Sequence, residues 1–180
     1  MVLKKHRPGY LMLSPDVAAL PIYPPTTKLD DSQEDMTSQA ALEAFKASLI
    51  DFLPNKTTTI IADLMVHRLG LQNELNALIA DTEVPYTTLS WGKTLLDEQD
   101  ERWAGTYAGD ASRPVVKDAV ENCECLIKIG VQFTDTTTAG FSQDIDDEVV
   151  VDLHYERASI GGQNFAPIAL KDSLQALHDV

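Results

Sequence analysis

The chain has 180 residues, 44% of them hydrophobic and 23% charged, with a formal net charge of −14. That length suits one domain of about 100 to 200 residues plus a linker, and no apolar run nears the roughly 20 residues of a membrane span. The excess of acid repels phosphate backbones and anionic lipid, which argues against nucleic acid and membranes as partners.

The start, Met1-Val2-Leu3-Lys4-Lys5-His6-Arg7, has positive charge but lacks the apolar stretch of a secretory signal, so a cytoplasmic location is expected. Cys123 and Cys125, one residue apart, fit neither a disulfide framework nor a four-ligand zinc site and read as reduced thiols.

Gly9-Tyr10-Leu11-Met12-Leu13 reads as a short strand. Ser14 to Met36, with Pro15, Pro21, Pro24 and Pro25, reads as a linker, because proline fixes φ and removes a backbone donor. A lone strand ahead of a linker suggests that the chain starts within the last element of a preceding domain.

From Thr37 onward helices and strands alternate. Leu42, Phe45, Leu49 and Phe52 stand at helical spacing, and Thr57-Thr58-Thr59-Ile60-Ile61 is a β-branched strand. Leu71, Leu75, Leu78 and Ile79 predict a second helix and residues 84–89 a second strand. Ser112 is a candidate cap for a helix with Pro114 in its first turn and Val116, Ala119 and Val120 facing inward. Cys125-Leu126-Ile127-Lys128-Ile129 is the third strand and residues 148–153 the fourth. Residues 158–160 form a short fifth, before a last helix carrying Leu170, Leu174 and Leu177. Strands joined through helices need crossovers, so the expected fold is α/β, a three-layer Rossmann-like, mainly parallel sheet with helices on both faces. A ligand would then lie at the strand carboxyl ends, near Ala62-Asp63, Ser90-Trp91-Gly92, Gly130-Val131 and Leu153-His154.

Motifs narrow the chemistry mostly by exclusion. Gly92-Lys93-Thr94 is similar to the end of a phosphate-binding loop, but Thr87 stands where that loop needs its first glycine. The first strand leads into Ala62-Asp63-Leu64-Met65-Val66-His67-Arg68 and not into a G-x-G-x-x-G turn. His6, His67, His154 and His178 are scattered, the acids of 144–152 lack calcium-loop spacing, and no Gly-x-Ser-x-Gly elbow occurs. No metal site and no catalytic residue is therefore expected in this chain. Trp91 and Trp103 could stack on a planar ligand or fill the core. Phe133-Thr134-Asp135-Thr136-Thr137-Thr138-Ala139-Gly140-Phe141, rich in hydroxyls beside a strand end, is the segment most suggestive of a binding loop.

Four segments carry a resemblance. Gly92-Lys93, Leu96-Asp97-Glu98, Gly105-Thr106-Tyr107-Ala108-Gly109 and residues 133–141 resemble, in order and spacing, the central domain of thiamine-diphosphate-dependent indolepyruvate and pyruvate decarboxylases, with Phe133-Thr134-Asp135 closer to the indolepyruvate branch. Arg7-Pro8-Gly9-Tyr10-Leu11-Met12-Leu13 is similar to the last strand of that family's pyrimidine-binding domain. The resemblance implies residues 1–13 as the tail of that domain, 14–36 as an interdomain linker and 37–180 as the central domain. It also implies a parent enzyme that uses thiamine diphosphate and Mg²⁺, carries further domains and assembles as a homotetramer.

In that family the cofactor sits between two other domains. Here Gly109-Asp110 is followed by Ala111 and no downstream Asn-Asn occurs, so no cofactor is expected within these residues. Family relatives bind a flavin or adenine nucleotide in the strand-end crevice, which makes Gly92, Gly130 and Asp135 candidate contacts. An independent ADP- or FAD-binding sensor is thus the alternative function. Gln132 replaces the arginine of the flavin pattern and Thr94 a glycine. Met65 matches a cysteine tied to substrate activation, whose chemistry a thioether cannot perform, whereas Arg68 matches a family arginine and is the candidate effector residue.

Overall fold

A computed structural model describes residues 8–28 and 37–180. The chain divides into two compact units, Met1–Asp35 and Met36–Val180. Residues 1–7 of the expected domain tail and 29–36 of the expected linker lie outside the described residues.

In the first unit one short turn, α1 (Pro15–Ala18), follows Ser14, with Pro15 where its missing N–H costs nothing. The strand expected over residues 9–13 is absent. Tyr10 and Leu11 are 91% and 84% exposed. A strand persists only when a neighbour takes up its N–H and C=O groups, and no described segment pairs with these residues.

In the second unit, α2 (Gln39–Phe52) starts at Ser38, whose hydroxyl accepts from the Ala41 N–H, and buries Phe45 and Leu49. Strands β1 (Thr58–Ala62), β2 (Tyr86–Thr88), β3 (Trp103–Thr106), β4 (Cys125–Ile129), β5 (Val150–Leu153), β6 (Ala158–Ile160) and β7 (Gln163–Phe165) form one sheet. Their order is β3-β2-β1-β4-β5-β6-β7. All pairings from β3 to β5 are parallel, with Ile60 of β1 opposite Tyr86 and Ile127. β6 and β7 are added antiparallel. Helices α3 (Leu64–Leu69), α4 (Gln72–Ala80), α5 (Pro114–Glu121) and α6 (Leu170–His178) complete the unit. The α/β, mainly parallel Rossmann-like layering read from the sequence is the fold observed.

The layers are unequal. One face packs Ile60, Tyr86, Ile127, Val151 and Leu153 against apolar residues of α2, α3, α4 and α6. The other buries Ile61, Leu126 and Val150 against Val116 and Val120, so among the described residues α5 is the one helix in that second cluster. Strands covered on both sides are apolar at successive positions, which explains runs such as Cys125-Leu126-Ile127.

Several elements differ from the sequence reading, each for a local reason. β3 lacks β-branched character: Gly105 adopts φ +125°, where the register with β2 shifts, and Trp103 packs tilted on Tyr86 at 5.8 Å. β7 turns back from β6 through Gly161-Gly162, both at positive φ, a two-residue hairpin that L side chains resist. Ser112 does not cap α5. The cap position is Arg113, and the Ser112 hydroxyl accepts instead from the Ala108 N–H at 2.8 Å. The strand expected from 148 begins at Val150, because Asp146 closes a 3₁₀ turn by accepting from the Glu148 N–H at 2.9 Å.

α5 is also tied to the sheet by a polar link. The fully buried Tyr107 donates to Glu121 Oε1 at 2.6 Å, and the Glu121 side chain is 8% exposed. Burial, then the hydrogen bond and charge of Glu121, hold the phenol well above its ordinary range. Tyr107→Phe leaves a buried carboxylate short of a donor and is expected to cost about 1.5 to 3 kcal/mol, read from the urea midpoint.

Candidate functional site at the strand carboxyl ends

Because β1, β2, β4 and β5 run parallel, their carboxyl ends share one edge of the sheet. Backbone bonds close that edge. The Asp63 N–H donates to Ile129 O at 3.2 Å, Met65 N–H to Gly130 O at 3.3 Å, and Gly130 N–H to Leu153 O at 2.8 Å.

Both candidate glycines abut the turn between β1 and α3. A Cβ on Gly92 would stand 2.7 Å from Ala62 O and 3.0 Å from Asp63 Cα. On Gly130, at φ +63°, it would stand 2.9 Å from Met65 Cβ and 3.1 Å from Val66 N. Close approach of the chain to itself accounts for glycine at both positions. Arg68 lies exposed in the last turn of α3, on the same edge. Asp135 is also exposed, and its bonds are local: Oδ1 accepts from the Thr136 N–H at 2.7 Å and its carbonyl from the Gly140 N–H at 2.7 Å. Gly92, Gly130 and Arg68 are thus gathered around one turn, while Asp135 bonds within its own loop.

The hydroxyl-rich loop spends its hydroxyls on itself. Thr138 Oγ1 donates to Thr134 O and Ser142 Oγ to Thr138 O, both at 2.7 Å, and Thr134 pairs with Thr137 at 2.9 Å. Those groups rigidify a turn. Two aromatic side chains are also exposed, Trp91 at 48% and Phe141 at 60%.

Two acids stand out: Asp63, expected only as a strand end, and Asp152, expected on a solvated face with the other acids of 144–152 but buried at 9% exposure. Asp63 directly follows β1 and is 1% exposed, and its Oδ1 has no hydrogen-bond partner. Burial pushes its carboxyl from 3.8 up to about 6, while the N–H groups of Leu64 and Gly92 and the charges of Arg68 and His67 pull it down. The sequence signal was an acid ending an apolar β-branched run. Asp152 lies opposite Lys128 in the β4–β5 register, at 3.6 Å, and 3.9 Å from Arg157. Lys128 also stands 5.1 Å from the Phe133 ring centroid. Lysine within a strand signals a position off the apolar core, here on the α5 side of the sheet.

Cys123 and Cys125 are free, and burial raises both thiols, Cys125 to about 11, so neither is a thiolate nucleophile at neutral pH. Among the described residues no three of His, Cys, Asp and Glu converge as a metal would require. With Ala111 after Gly109-Asp110, this donor set does not fit a magnesium-held diphosphate. No helix among the described residues is long and apolar enough to cross a membrane.

Sheet order and the glycine-lined turn at the strand carboxyl ends define an α/β domain of Rossmann-like type. Residues 50–177 match the family "Thiamine pyrophosphate enzyme, central domain", and the chain belongs to that family. It is similar to the alpha-keto-acid decarboxylase of Mycobacterium avium (strain 104), 42% identical over 176 residues that cover 98% of this chain and 31% of that protein. The Mycobacterium leprae (strain TN) alpha-keto-acid decarboxylase is 41% identical over 179 residues, 99% of this chain and 31% of its own length. That of Mycobacterium tuberculosis (strain ATCC 25618 / H37Rv) is 42% identical over 176 residues. The chain therefore spans 31% of the length of these relatives.

Proposed function

We propose that this chain is the central domain of a thiamine-diphosphate- and Mg²⁺-dependent 2-oxo acid decarboxylase of the indolepyruvate or phenylpyruvate type, with a structural and regulatory role. The observation that carries the reading is the match of 98% of the chain to one 31% stretch of proteins named alpha-keto-acid decarboxylases. The remaining length of those relatives has room for the domains that would hold cofactor and metal, which suits a donor set here that fits neither. Residues 1–13 are then the tail of the preceding domain and 14–36 the linker. The exposed apolar run Tyr10-Leu11-Met12-Leu13 supports that assignment, since it has no partner strand among the described residues. The parent is a cytoplasmic homotetramer in this reading.

Within it, Arg68 is the effector contact, and Gly92, Gly130 and Asp135 are the candidate ligand contacts near the strand ends. The experiment is decarboxylation by the full-length parent, with thiamine diphosphate and Mg²⁺, of indolepyruvate, phenylpyruvate and pyruvate. The aryl substrates are expected to have the higher kcat/KM. Preference for pyruvate would overturn the subtype, and no turnover of any 2-oxo acid would overturn the enzyme class. The alternative of an independent nucleotide sensor would be favoured by micromolar binding of ADP or FAD to this chain in calorimetry.

A further inference from the structure

Asp63 stands out because its burial is unfavourable and one carboxyl oxygen is unpartnered, although the N–H groups of Leu64 and Gly92 bond to the carboxylate. A carboxylate offers about four lone-pair sites, and an unpartnered oxygen taken out of water carries the full desolvation cost. Residue 63 is 1% exposed with Oδ1 unpartnered, and Thr88 Oγ1, at the end of the neighbouring strand, is likewise buried without a partner. Both residues close on Gly92, whose absent Cβ would lie 3.0 Å from Asp63 Cα and 3.1 Å from Thr88 Cβ. Asp63 occupies the cap position of α3 but makes no side-chain cap bond. The helix start is thus held by Gly130 and by β4, through Met65 N–H to Gly130 O and Asp63 N–H to Ile129 O.

The charges that reach Asp63 come from α3, namely Arg68 and His67. The Ser90–Gly92 turn brings the Gly92 N–H, followed by exposed Lys93, whose carbonyl lies 3.3 Å from His67 Nε2. β2 brings the Thr88 hydroxyl, and the β4 end brings Ile129 and Gly130, neither of which titrates. Among the described residues no cation is in salt-bridge contact with Asp63, so its ionised form has an incentive to leave.

We propose that the turn joining β1 to α3 is a proton-operated switch: with Asp63 neutral it stays closed on Gly92 and Gly130, and with Asp63 ionised the carboxylate swings toward solvent and Arg68 and loosens α3 from the strand ends. A neutral carboxyl is both donor and acceptor and tolerates burial, while its anion is an acceptor only. The folded state holds this proton more tightly than the unfolded chain does. Closure is therefore fully favoured below about pH 4 and weakens as pH rises to about 6, by about a hundredfold overall. The switch depends only on residues of the second unit and stands or falls apart from the decarboxylase assignment.

The test is an NMR titration of the 180-residue chain between pH 3 and 8. It follows the Asp63 carboxyl carbon together with the amides of Leu64, Met65, Gly92 and Gly130. The expected result is one shared midpoint near 6, with amide protection in residues 64–69 lower above it, in the wild-type chain and in His67→Gln. Asp63→Asn should remove the titration and keep the turn protected throughout. An Asp63 midpoint near 4, a carboxyl titration that leaves the amides unmoved, or an amide titration lost in His67→Gln would each overturn the proposal. Should Asp63→Asn not fold, the comparison of wild type with His67→Gln decides alone.

Discussion

Replacing Phe45 with alanine is expected to lower stability by about 3 to 5 kcal/mol, read as a drop in urea midpoint at unchanged m. The ring is fully buried and packs tilted on Phe165 at 5.6 Å, so it fastens α2 to β7 at the antiparallel end of the sheet. A cavity there cannot collapse easily, since Phe45 belongs to one buried cluster with Leu49, Phe165, Ile160 and Ala176. A loss below about 1 kcal/mol would mean that α2 does not seal this face.

Gly109→Ala is the second large effect, at about 2 to 5 kcal/mol. Its φ of +59° costs an L residue about 1 to 2 kcal/mol. The added methyl would stand 2.5 Å from both Thr138 O and Ser142 Oγ, a carbonyl already fixed by the Ser142 N–H at 3.0 Å. Overpacking of that kind adds about 1 to 3 kcal/mol. Gly140→Ala supplies the comparison, because φ there is +82° but no atom lies within 4 Å of the new Cβ. Gly140→Ala should thus carry backbone strain without the clash and lose less stability than Gly109→Ala. Equal losses in thermal or urea unfolding would show that residues 133–142 do not pack on the 108–112 turn.

The parts of the fold legible in the sequence are those in which period and composition agree. The third strand, Cys125–Ile129, has the bounds that its apolar run suggested, and α6 carries Leu170, Leu174 and Leu177 as read. β3 and β7 were hidden because their pairing is a tertiary fact. Trp103-Ala104-Gly105-Thr106 and Gln163-Asn164-Phe165 have weak strand propensity and exist by bonding to β2 and β6. The short strand expected at 9–13 had the right composition but no described neighbour, the converse of the same rule.

The candidate site was legible as a place more than as a set of residues. Strand direction located the edge, and Gly92, Gly130 and Arg68 gather there. Asp63 escaped because burial, not spacing, makes it unusual, and a sequence does not display desolvation. The hydroxyls of residues 133–142 invited a binding role that their mutual bonds already account for, since Ser and Thr near turns satisfy backbone groups before ligands.

The proposed assignment puts the parent's thiamine chemistry outside these residues. Its most direct test is calorimetry of the purified chain with thiamine diphosphate and Mg²⁺, paired with a CO₂-release assay on indolepyruvate. The expected result is no saturable heat at micromolar cofactor and no turnover above the protein-free rate. Micromolar binding with measurable CO₂ release would contradict it and place the reaction within these 180 residues.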